Sequence, residues 1–150
     1  MKKLILGLLM SINSKIKKMN DMFSVFDNNM DKYTQIIELG KKNNGLSTKD
    51  KNDGNRIYGC TSMAWVKVYK NNNFFSIKTD SDTFIVKGLL NILEYIINDS
   101  TKEEIYNLNI KSILQNIGLD NSITSQRTNG FLSAINKIQK ASFATDQYFL

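Results

Sequence analysis

Apolar residues recur at helical spacing along much of this chain and switch to strict alternation in one stretch near its middle. Residues 31–39 (DKYTQIIEL) set Tyr33, Ile36, Ile37 and Leu39 toward one side of a helix, with Gly40 as its stop. Residues 41–56 hold almost nothing apolar except Leu46, which predicts a long exposed loop. Residues 63–69 are rich in β-formers, residues 70–73 are turn material, and Phe75 and Ile77 alternate with polar neighbours. That pattern is a β-hairpin, and Ile57 and Tyr58 have the character of a short strand ahead of it.

The second half reads as helices. Residues 83–98 are apolar nearly all round, as in a central buried helix, and Asp80, Ser81 and Asp82 stand before it as candidate caps. Gly88 in its interior costs ~1 kcal/mol relative to alanine and points to close backbone packing. Residues 100–104 (STKEE) carry a capping box, residues 110–117 form a further helix stopped by Gly118, and residues 125–141 form an amphipathic helix capped by Ser122 or Thr124. The order predicts a single α+β domain with a small antiparallel sheet packed against several helices. No internal repeat and no second core is visible.

Composition narrows the chemistry. With no histidine there is no Ser-His or Cys-His nucleophile pair and no imidazole metal ligand, and a single cysteine makes neither a disulfide nor a thiolate cage. The net charge of +6 raises the question of nucleic acid, but the lysines are scattered and arginine occurs only at Arg56 and Arg127. The start of the chain has two lysines and a short apolar run, residues 4–10, too short to span a bilayer. The residues after it are basic and amphipathic, as in a terminal helix lying on the domain; a targeting remnant is the alternative.

What remains is the stretch Tyr58-Gly59-Cys60-Thr61-Ser62-Met63-Ala64-Trp65, which holds the only cysteine and the only tryptophan. A lone cysteine is by default a small buried hydrophobe. Here Gly59 lets the backbone turn and leaves the approach to sulfur uncrowded, and Cys60 stands where a polar loop becomes a strand. Thr61 and Ser62 supply hydroxyls beside it.

These residues resemble the G-C-x-S-x-x-W segment of SufE-like sulfur acceptors, the partners of cysteine desulfurases. Tyr33 with IIELGKK resembles the family's Y-x-x-I-I-E-L-G helix, DSDTFIVKGLL its D-S-D-x-x-I-V-K-G-L block, and SQRTNGFLSAINKI its final helix, in the family's order. Thr61 stands where the family has glutamine. The resemblance covers residues 33–141, so residues 1–30 read as a helical N-terminal extension and residues 31–150 as the acceptor domain.

The resemblance implies that Cys60 takes persulfide sulfur from a SufS-like desulfurase, stimulates that enzyme and passes the sulfur to a SufB-type iron–sulfur scaffold. The chain would be a sulfur-transfer partner rather than a stand-alone enzyme, a monomer or weak dimer that binds no cofactor; pyridoxal phosphate stays on the desulfurase. Asp80, Asp82, Arg127, Gly59 and Ser62 would position the cysteine loop or meet the partner. Beside each stands a plainer reading: helix caps for the aspartates, a surface ion pair for Arg127. Trp65 and Gly88 read as packing residues. The implied location is a bacterial cytoplasm or a plastid-type organelle, away from membrane and nucleic acid. The alternatives are a basic RNA- or membrane-associating domain with a structural cysteine, and a small thiol enzyme, which would lack a histidine base.

Overall fold

Two glycines set a close crossing of two helices. In this computed structural model, which describes residues 10–148, helix α2 (Asn29–Lys42) crosses helix α3 (Phe84–Ile97) with backbone nearly against backbone. A Cβ on Gly88 would lie 1.8 Å from the Ile36 carbonyl oxygen, and one on Gly40 would lie 2.0 Å from that of Phe84. Gly88 thus packs as its position predicts. Gly40 does not stop α2, because the helix runs on to Lys42 and Asn43 caps it. The stop signal and the close-approach signal are the same residue type, and here packing claims it.

Helix α3 is buried on nearly every side, with Leu93, Ile96 and Ile97 fully enclosed. One flank takes the hairpin of β1 (Ala64–Asn71) and β2 (Phe74–Ser81), whose two-residue turn puts Asn72 in the left-handed region at φ 56°. Ala64, Val66, Phe75 and Ile77 form the buried face. The third strand is not at Ile57 and Tyr58. Arg56 makes only an isolated bridge to Trp65, and the sheet is completed on its other edge by β3 (Ser100–Thr101), antiparallel to β2. Asn98 prepares that pairing: its Oδ1 accepts from Ile77 N at 2.9 Å, and Asp99 turns at φ 63°.

The caps divide between success and correction. Thr101 and Glu104 close the expected capping box on α4 (Lys102–Tyr106), and α5 (Ile110–Ile117) ends at Gly118 with φ 86°. Thr124 Oγ1 accepts from Arg127 N at 3.3 Å at the head of α6 (Ser125–Tyr148). Asp80 and Asp82, however, do not cap α3. The strand β2 runs through Ser81, the residue preceding the helix is Thr83, and the Thr83 side chain accepts no capping bond, while Ser81 Oγ accepts from Thr83 N at 3.4 Å.

Helix α1 (Ile12–Ser24) buries Ile12, Ile16 and Phe23 as it packs on α5 and α3, and Lys15 Nζ donates to the Asn98 carbonyl. The apolar run at residues 4–10 lies, but for Met10, outside the described residues. Helix α6 buries Phe131, Ala134, Ile135 and Ile138, a one-sided stripe facing the core. The loop before the hairpin is not wholly exposed: Asn43 is buried, its amide donating to Thr79 Oγ1 at 3.2 Å. The result is one α+β unit with a three-stranded antiparallel sheet.

Candidate functional site: the cysteine loop and its cavity

Residues 58–62 arch from the Arg56 bridge to the start of β1, and Gly59 turns the arch with φ 93°. Among the described residues none of the five joins a well-formed backbone–backbone hydrogen bond. The arch is pinned at its ends instead. Ile57 N donates to Ala64 O at 2.8 Å, and Met63 O accepts from Ser81 Oγ at 2.7 Å and from Asp82 N at 3.1 Å. Ser62 Oγ takes a 3.2 Å bond from Thr83 Oγ1. The loop is fastened at both feet, with a turn at Tyr58 and Gly59 between them.

Under the arch runs α6. A Cβ on Gly130 would meet Cys60 Sγ at 2.7 Å, and one on Gly59 would meet Ser133 Oγ at 2.9 Å, so the loop rests directly on the helix. Cys60 is half-buried and borders a cavity of about 20 Å³ walled by Ile57, Ala64, Val86, Leu90 and Phe131. That is room for an atom about the size of a water molecule, in an apolar setting. Arg127 lines the same cavity, half-exposed, and its guanidinium makes no ion pair among the described residues. The surface salt bridge expected of it as the plain alternative is absent there.

Asp80 and Asp82 part company. Asp82 is exposed beside the foot of the arch, and its backbone, not its carboxylate, holds Met63. Asp80 is buried one strand over, paired across the sheet with Trp65. Its Oδ2 accepts from Leu46 N at 2.9 Å and its Oδ1 from Ser81 N at 2.8 Å, with Lys51 and Lys87 Nζ each 3.6 Å away. Burial pushes this carboxyl up, but the two backbone donors and the two ammonium groups outweigh it and hold the pKa below the usual value. Lys51 also lies over the Trp65 ring, 5.6 Å from its centroid, so Asp80 organises the segment before the arch.

Cys60 and Arg127 therefore border one cavity, Gly59 turns the loop above it, Ser62 ties a foot of the loop to Thr83, Asp82 stands beside that foot, and Asp80 supports it from the sheet. The sequence reading missed Gly130, Ser81 and Thr83. Gly130 carried a signal, since an interior helix glycine is the pattern that flagged Gly88. Ser81 and Thr83 carried none, because a hydroxyl near a helix start reads first as a cap. Among the described residues no cluster of three or more His, Cys, Asp or Glu side chains could hold a metal ion, and no helix is long and apolar enough to cross a membrane.

Known proteins share this fold. A solution structure of a hypothetical protein from Thermus thermophilus superposes with a TM-score of 0.69 over 87% of this chain and 96% of that one; at 14% identity the likeness is one of fold. The cysteine desulfuration protein SufE of Wigglesworthia glossinidia brevipalpis is 35% identical over 134 residues, 87% of this chain and 92% of its own length. The family model for the SufE Fe-S metabolism associated domain matches residues 17–142, from within α1 to the body of α6. A cysteine loop seated on its final helix, the fold that presents it, and a match across most of the length agree: the chain belongs to the SufE family.

Proposed function

We propose that this protein accepts sulfur from a cysteine desulfurase and that Cys60 carries it. The observation behind the reading is the placement of the sole cysteine at a glycine-turned loop tip, with its sulfur against a mostly apolar cavity that the Arg127 guanidinium also lines. The relative's printed name, a cysteine desulfuration protein, is in line with it.

The chemistry is thiol exchange on sulfane sulfur. The Cys60 thiolate attacks the outer sulfur of a persulfide on the desulfurase cysteine. One S–S bond forms, one breaks, and the desulfurase sulfur leaves as a thiolate; nothing is oxidised or reduced overall. Arg127 contributes positive charge at the cavity wall, which stabilises the negative charge spread over the sulfurs during exchange. The sulfur then passes by the same exchange to an iron–sulfur scaffold, and removing it from the desulfurase is what stimulates that enzyme.

Such a carrier needs a thiol that is guarded between partners and presented to them. The cavity guards it, since an exposed persulfide is open to oxidation. Presentation falls to the arch, whose five central residues lie outside any helix or strand while its feet stay tied. A second cysteine nearby would expel the sulfur as a disulfide formed, and the chain has none. The pyridoxal phosphate that releases sulfur from L-cysteine belongs to the desulfurase.

Intact mass after incubation with a cysteine desulfurase and L-cysteine tests this directly. A gain of one sulfur atom on the wild-type chain, absent from Cys60→Ser, is expected. Loading that survives Cys60→Ser, or a wild-type chain that never loads, would overturn the reading.

A further inference from the structure

Beside the cysteine arch lies an open groove of about 510 Å³ between the chain entering the arch and the outer side of α6. Arg56, Tyr58, Ser133, Lys137 and Lys140 line it, and no lining residue is acidic. Arg56 lies over the Tyr58 ring, 5.1 Å from its centroid, and Tyr58 is still 61% exposed. Among the described residues Arg56, Lys137 and Lys140 have no ion-pair partner.

The groove and the thiol share one face of one helix. Gly130 lies under Cys60 and Ser133 under Gly59; Lys137 and Lys140 follow on the same stripe. At the helical rise they stand roughly 10 and 15 Å along the axis from Gly130. A standard protein interface buries about 800 Å² per partner, a patch of roughly 16 Å radius. An interface of that size centred on Cys60 reaches these cations. Covering them with an apolar or basic surface would strip their water and return nothing.

Building on the sulfur-acceptor reading, we propose that the groove of Arg56, Lys137 and Lys140 docks an acidic segment of the desulfurase and so fixes the partner's orientation over Cys60. Three cations are too few for a tight hold on nucleic acid, whose binding rests on many phosphate contacts. They suffice to steer and orient a protein partner, where rim charges act on encounter rate. On the far foot of the arch stand exposed Asp82 and Phe84. The footprint thus carries opposite charge on its two sides, and a partner turned by half a revolution would meet like charge.

The test is the double variant Lys137→Glu, Lys140→Glu, made in the full chain with circular dichroism as a fold control. We expect its sulfur loading by the desulfurase to slow about ten-fold or more at low salt and to converge on wild type at high salt. Arg56→Gln should act in the same direction and more weakly. Unchanged loading at low salt would overturn the inference while the acceptor reading stood. So would a variant that loads normally but loses affinity for heparin or for anionic vesicles. A wild-type chain that takes no sulfur would remove both, and that outcome is read from the wild type alone.

Discussion

Two kinds of glycine in this molecule predict opposite results on substitution. At Gly130 the neighbour in the way is the end of a side chain, Cys60 Sγ, on a loop tied only at its feet. Gly130→Ala should therefore displace the thiol and leave the fold intact, with up to ~1 kcal/mol gained in helix propensity. Iodoacetamide should alkylate Cys60 faster in this variant; an unchanged rate would mean that the sulfur is not seated on α6. Cys60→Ala removes a half-buried side chain at a loop tip, so denaturant unfolding should shift by about 1 kcal/mol or less. The same variant should still bind the desulfurase while losing all stimulation. Arg127→Leu leaves the arch in place and removes its positive charge from the cavity wall, so sulfur loading read by intact mass should slow several-fold.

Between elements the obstacle is backbone, and backbone does not step aside. Gly88→Ala sets a methyl 1.8 Å from the Ile36 carbonyl oxygen, so α2 and α3 must separate along their contact. The loss of stability should be on the order of 3 kcal/mol, as for other overpacked cores. Urea unfolding measures it, and a variant as stable as wild type would contradict the crossing described. The arch itself is an element that works by having few bonds of its own. Ser81→Ala removes the 2.7 Å bond to Met63 O at one foot. It should raise the alkylation rate of Cys60 at a cost of about 1 kcal/mol in stability, the ordinary worth of one such bond.

For the molecule as a whole, one buried carboxylate, Asp80, and one half-buried carboxylate, Glu94, pull the acid response in opposite directions. Asp80 has its pKa held down in the folded state. Its contribution is therefore fully present above the unfolded value near 4 and is lost as pH falls through the folded one. Glu94 is raised by burial, against the hydrogen bonds it accepts from Thr79 Oγ1 at 2.8 Å and Thr79 N at 2.6 Å. The folded state binds that proton more tightly, so from Glu94 stability rises as pH falls through its folded pKa toward the unfolded one. Glu94→Gln keeps an oxygen to accept from Thr79 and removes the charge. It should stabilise the protein at neutral pH, with the advantage shrinking to nothing below about pH 4. Asp80→Asn should do the reverse, costing most at neutral pH and least in acid; thermal unfolding across pH separates the two.

Much of this protein can be read from one dimension. The hairpin, the central helix, the capping box at Thr101 and the stop at Gly118 follow from residues near one another in the chain, because turns, caps and periodic faces are local physics. The GCTSMAW stretch and its companion blocks likewise carried the family. What needed three dimensions was partnership between distant residues. Nothing local tells whether a glycine after a helical run ends the helix or meets another backbone, and Gly40 meets Phe84 across the core. Nothing local tells whether Asp80 caps the next helix or accepts from Leu46, which lies 34 positions earlier in the chain. The third strand at Ser100 and Thr101 joins the sheet because α3 returns the chain to the β2 edge, and two residues are too few to announce a strand by alternation. The same holds for the site: one cysteine was visible from the start, but its cavity, Gly130 beneath it and the basic groove beside it exist only where α6 passes under the arch.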